Sequence, residues 1–154
     1  MERDHRVVVG VDGSDGGRRA LEWAAREVAE HGGTVQAVTA WDWDPADPGT
    51  DADDATLRAQ AEDTLAHEVR AVRTRHGSLV IAAEAVQGGP AEVLTAAARD
   101  ADLLVLGSHG HSRVWHTVLG SVSEACVSRA TCPVVVVPAG QSAPARATEP
   151  AVPG

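Results

Sequence analysis

Three short aliphatic runs in this chain do not alternate with polar residues: Val7 to Val9, Leu103 to Leu106, and Val134 to Val137. A strand with one face in water shows a period of two, so an unbroken run asks for cover on both faces. Parallel sheets between two layers of helices meet that demand, and a one-sided sheet does not. The intervening segments supply the helices. Leu21, Ala24, Ala25 and Val28 share one face of a segment from Gly17 to Glu30, closed by Gly32 and Gly33. Leu57, Ala61, Leu65, Val69 and Val72 do the same between Asp53 and Arg75. Val93, Leu94, Ala97 and Ala98 follow Pro90, which suits a first helical turn. Thr34 to Trp41 and Leu79 to Val86 read as two further strands.

The order β-α-β-α-β-α-β, loop and helix, β predicts an α/β fold. Five parallel strands form an open sheet with helices on both faces, because right-handed crossovers leave few other arrangements. A chain of 154 residues is one domain by length. That domain is expected to span residues 1–138, and residues 139–154, rich in Ala and Pro without periodicity, read as a disordered tail. With no Phe or Tyr and four Trp, the core must be aliphatic.

Chemistry is expected where the run Leu103 to Leu106 ends. Gly107, Ser108, His109, Gly110, His111 and Ser112 make a small-residue loop, whose two glycines allow positive φ and bring bare backbone close to a guest. Gly120 and Ser121 then lead into a helix predicted over Val122 to Ser128. A loop ending at a helix start gathers unpaired N–H groups at the positive end of the helix dipole, which is an anion site. Charge placement agrees. Acidic residues number 22 of 154, so about three would fall between Leu103 and Ser123 by composition, and none does. Screening confines repulsion from the net charge of −9 to about 8 Å at physiological salt, so this stretch can accept a polyanion. At the end of the first strand, Asp12, Gly13 and Ser14 turn the chain and place a carboxylate at the edge where open α/β sheets bind ligands. Ser14 or Asp15 serves equally well as a cap for the next helix.

The spacing Gly107, two residues, Gly110, nine residues, Gly120-Ser121-Val122-Ser123, followed by Cys132-Pro133 and Val134 to Val137, resembles the universal stress protein family. The similarity is to the branch that binds ATP, extends to Val7 through Ser14, and covers most of residues 6–138. It implies a Rossmann-like sheet of strand order 3-2-1-4-5, with strands one and four adjacent and a crevice between Asp12 and Gly107. It also implies ATP as the ligand, alone or with Mg²⁺. Asp12, Gly13 and Ser14 would form one wall, and the backbone near Ala40 would read the adenine edge. Gly107, Gly110, His111, Arg113, Gly120, Ser121, Val122 and Ser123 would surround the phosphates. Arg113 either contacts phosphate or is solvated, and His111 either lines the site or lies in an exposed loop.

Other chemistries fit less well. No Gly-Lys-Ser/Thr follows the glycines, so no P-loop lysine reaches terminal phosphates. Gly10, Gly13 and Gly16 have the wrong spacing for a dinucleotide fingerprint, and no nucleophile elbow is present. His109, His111 and His116 lack a carboxylate or thiol partner for a metal. Cys126 and Cys132 read as small buried hydrophobes. Trp41 and Trp43 either stack on a base, cap the core or line a subunit contact. A pI near 5.1 without a basic stripe disfavours nucleic acid and anionic membranes, and no apolar run approaches a membrane span. The charged start, Met1 to His5, lacks a signal-peptide layout, so a cytoplasmic location is expected. Val134 to Val137, at a sheet edge, is expected to pair two copies into a homodimer. The resulting expectation is a regulatory nucleotide-binding module of the stress response, not an enzyme, acting through an unidentified protein partner. The alternatives are a dimerising interaction protein of the same fold without a physiological nucleotide, and a slow ATPase.

Overall fold

A computed structural model of the chain describes residues 5–42, 53–108 and 119–138. The elements are β1 (Arg6–Gly10), α1 (Asp15–His31), β2 (Thr34–Trp41), α2 (Asp54–His76), β3 (Ile81–Gln87), α3 (Pro90–Ala97), β4 (Leu103–Gly107), α4 (Ser121–Arg129) and β5 (Val134–Val137). Among the described residues the five strands form one parallel sheet ordered β3-β2-β1-β4-β5. Val7 lies opposite Val35 of β2 on one side and Leu103 of β4 on the other.

The unbroken runs are explained by what covers each face. Val7 and Val9 point into a cluster with Leu21, Ala24 and Val28 of α1 and Leu65, Val69 and Val72 of α2. Val8 points the other way, into a cluster with Val93 and Leu94 of α3 and Cys126 of α4. All three valines are fully buried. Each contributes about 1.5–3 kcal/mol of transfer free energy, so a polar residue anywhere in this run would be severely destabilising. The edge strand β3 departs from this pattern, with Ala82, Ala83 and Glu84 exposed.

Local signals set the helix ends. α1 begins two residues earlier than its apolar stripe predicts, because Ser14 caps it by accepting from the Gly17 N–H at 3.1 Å. It stops at Gly32, whose φ of 82° excludes further helix and whose N–H returns to the Val28 carbonyl. Asp53 caps α2 through the Thr56 N–H at 2.9 Å, and this bond holds its carboxyl below the ordinary value. β3 begins at Ile81, two residues after the predicted start. The expected tail over residues 139–154 and both readings of Trp43 lie outside the described residues.

Candidate functional site

The candidate site is at the carboxyl edge of the sheet, where β1 and β4 lie side by side and their connections depart to opposite faces. After β1, the Val11 N–H still bonds to the Val38 carbonyl at 2.9 Å, and Thr39 Oγ1 donates to the Val11 carbonyl at 2.8 Å. The chain then leaves the sheet. Asp12 is exposed, and its Oδ1 accepts from both the Ser14 N–H and the Ser14 hydroxyl. Ser14 is therefore the α1 cap, oriented by Asp12, and its hydroxyl is occupied on both sides. Gly13 takes a φ of 83°, a left-handed turn that suits glycine.

Arg18, one turn into α1, reaches back across this wall. Its guanidinium donates to Glu68, to Asp15 and to the Gly13 carbonyl. The Glu68 hydrogen bond and charge push Arg18 above its ordinary range. Neither Arg18 nor Glu68 belongs to a motif that marks this contact in the sequence. The signal was an acidic residue inside the apolar stripe Ala61, Leu65, Val69, Val72.

On the other wall, Gly107 does not use the positive φ open to it; among the described residues the positive-φ glycines are 13, 32, 33, 77 and 88. Gly107 is needed for a different reason. A Cβ there would fall 2.6–2.8 Å from backbone atoms of Gly16, so the bare backbone lets β4 close on the first turn of α1. A Cβ on neighbouring Gly17 would fall 2.8 Å from Asp12 Oδ1, so bare backbone there lets Asp12 lie against the first turn of α1.

Ser108 and Ser123 then anchor α4. The Ser108 N–H bonds to the Val137 carbonyl at 3.0 Å, and the Ser108 carbonyl accepts from the Gly120 N–H at 2.7 Å. The buried Ser123 hydroxyl donates to the Gly107 carbonyl at 2.7 Å, so it serves as a brace between α4 and β4 and not as a free hydroxyl for phosphate. Gly120 has φ −67° and ψ 165°, a conformation open to any residue, so its backbone freedom is not what the turn into α4 uses. What it leaves is a helix start without a side-chain cap. The first bond inside α4 runs from the Glu124 N–H to the Gly120 carbonyl, so the Ser121, Val122 and Ser123 amides have no acceptor within the helix. With the helix dipole, that is the chemistry of an anion site.

Ala40 joins from β2. The Trp41 carbonyl accepts from the Gly88 N–H on the β3 side, so strand alternation turns the Ala40 N–H and carbonyl to the β1 side, beyond the point where β1 has left the sheet. Gly110, His111 and Arg113, together with His109 and His116, lie outside the described residues. Asp12, Gly13, Ser14, Ala40, Gly107, Gly120, Ser121, Val122 and Ser123 are brought to one edge. Among the described residues there is no group of three or more metal-binding side chains and no helix long and apolar enough to cross a membrane.

Residues 5–138 match the universal stress protein family, from the residue before β1 to the residue after β5. The chain belongs to the universal stress protein family. Universal stress protein Rv2005c of Mycobacterium tuberculosis is 33% identical over 132 residues, which cover 84% of this chain and 44% of that relative. This universal stress protein therefore spans less than half the length of such relatives. Two solved structures bear on the site. A universal stress protein in complex with cAMP aligns with a TM-score of 0.68 at 28% identity, over 90% of this chain and 100% of that one. The universal stress protein of Archaeoglobus fulgidus in complex with dAMP aligns at 0.65 and 26% identity, over 86% and 97%. Both of those neighbours hold an adenine nucleotide.

Proposed function

We propose that this chain binds ATP at the β1–β4 edge and acts as a regulatory nucleotide-binding module, not as an enzyme. The observation that carries the reading is the start of α4. Its first-turn amides have no helical acceptor, no side chain among the described residues caps it, and the Gly120–Ser108 bond holds it beside β4. The Ser121, Val122 and Ser123 amides would hold phosphate oxygens, and Gly110, His111 and Arg113 would complete that wall. The Ala40 backbone would meet the adenine edge. Asp12 would face the ribose or a phosphate-bound Mg²⁺, with Gly13 and Ser14 completing its wall, and the bare backbone at Gly107 lets the two walls approach. Nucleotide complexes of neighbours with the same fold support the adenine class. Binding without turnover is supported by the absence of a P-loop lysine from the sequence.

The same reading includes a homodimer. β5 is an edge strand whose Val134, Val135 and Val136 are only half-buried, a surface that pairing with a second copy would cover.

Ser121→Asp tests the site directly. A carboxylate at the first position of α4 complements the helix dipole and stabilises the fold slightly, while occupying the anion position. Calorimetric titration should give one ATP per wild-type chain and at least about tenfold weaker binding in the variant, with an unchanged or raised melting temperature. Unchanged affinity in the folded variant would refute the phosphate position. Native mass spectrometry of freshly isolated protein separates this reading from a dimer that carries no adenylate.

A further inference from the structure

A carboxylate interrupts the inward stripe of α2. Ala61, Leu65, Val69 and Val72 are buried on that face, and the Glu68 side chain among them is only 7% exposed. An ionised group in that position is strongly disfavoured unless it is paired and hydrogen-bonded. Its partner is Arg18, whose side chain is 53% exposed.

The pairing does more than neutralise Glu68. Arg18 Nε donates to Glu68 Oε2 at 3.2 Å, Nη1 donates to Asp15 Oδ1 at 2.8 Å, and Nη2 donates to the Gly13 carbonyl at 3.1 Å. One planar fork thus joins α2, the first turn of α1 and the loop after β1. Thr64, one turn before Glu68 on α2, makes a second approach: a Cβ on Gly13 would lie 3.1 Å from Thr64 Cγ2. The loop held in this way is the one in which Asp12 orients Ser14.

We propose that Arg18 and Glu68 are positioning residues for the Asp12 wall, clamping the Asp12–Ser14 loop to α2 at the height that adenine-nucleotide binding requires. The inference rests on the nucleotide reading of this edge. Glu68 supplies the buried fixed point, and Arg18 transmits it to the Gly13 carbonyl. Neither side chain needs to touch the ligand.

Glu68→Gln and Arg18→Lys separate this role from simple charge pairing. Lysine keeps the positive charge beside Glu68 but cannot satisfy three acceptors with one planar group. Amide hydrogen exchange, followed by NMR in wild type and both variants, reads the loop without reference to any ligand. The Ser14 and Gly17 amides should exchange about tenfold faster in both variants, while the core amides of Val8 and Val105 keep their protection. ATP titration of the same samples should show affinity falling by roughly threefold to tenfold. Wild-type protection of Ser14 and Gly17 in either variant overturns the clamp, whatever ATP does. Failure of wild-type protein to bind ATP overturns the nucleotide reading and the affinity result with it, and the amide exchange still decides for or against the clamp.

Discussion

Alanine at position 107 would test how the two walls of this edge are held together. Its Cβ would fall 2.6 Å from the Gly16 carbonyl carbon, 2.7 Å from its oxygen and 2.8 Å from its Cα. Ordinary contact begins at 3.4 Å, so β4 and α1 must separate by roughly 0.6–0.8 Å. These are backbone atoms of a helix whose Ala20, Leu21 and Ala24 are fully buried, so no flexible side-chain tip can yield instead. Overpacking of this kind costs about 1–3 kcal/mol. In a chain of this size, that corresponds to a melting temperature lower by about 2–12 °C. The displacement also reaches the ligand wall, because Gly17 rests against Asp12 and moves with Gly16. Urea denaturation followed by far-ultraviolet circular dichroism should show a lower midpoint with an unchanged slope, since the surface exposed on unfolding is the same. A Gly107→Ala variant melting within about 1 °C of wild type would show that the close approach of β4 to α1 carries no cost, and the explanation of Gly107 would fall.

Three further outcomes follow from single side chains. Ser123→Ala removes the donor to the Gly107 carbonyl at 2.7 Å and leaves that acceptor under-satisfied, so unfolding free energy should drop by about 1–3 kcal/mol; an unchanged denaturation midpoint would remove the brace. Burial pushes the Glu22 carboxyl up, but hydrogen bonds from His76 and Arg75 outweigh it and hold the group below its ordinary 4.5. A depressed carboxylate contributes stability that is present above its unfolded value and lost as pH falls through its folded value. Glu22→Gln should therefore lose less stability than wild type between about pH 7 and about pH 3, and equal losses by urea titration would contradict the assignment. Burial pushes both thiols up, with Asp102 adding to the effect at Cys132. Alkylation by iodoacetamide at neutral pH should be more than about tenfold slower than for a free thiol, slowest at the fully buried Cys126, and restored by urea. Rapid labelling of Cys126 in the folded protein would count against its place in the core.

Much of the architecture was legible in the residues. Val7 to Val9 could be read as doubly covered because a strand shows its two faces in alternate positions, and the two clusters that receive Val7 and Val8 bear this out. Gly32 marked the end of α1 because its conformation is a local property of the backbone. The glycine spacing and the carboxylate-free stretch also located the edge at which the candidate residues meet. The roles of single residues there were another matter. Ser14 read equally well as ligand contact or cap until Gly17 and Asp12 were seen to engage its hydroxyl. Gly107 read as a glycine free to take positive φ in a loop, although its φ is not left-handed and its bareness serves the contact with Gly16.

Sequence alone determined which face of each element turns inward, because that follows from periods of two and 3.6 residues written along a single segment. Only the tertiary structure decided which atoms meet: Gly107 on Gly16, Ser123 on the Gly107 carbonyl, and Arg18 on Glu68. The reason is physical. Those contacts join segments far apart in the chain, and their distances are set by how layers of helix and sheet settle against one another, which no local pattern records.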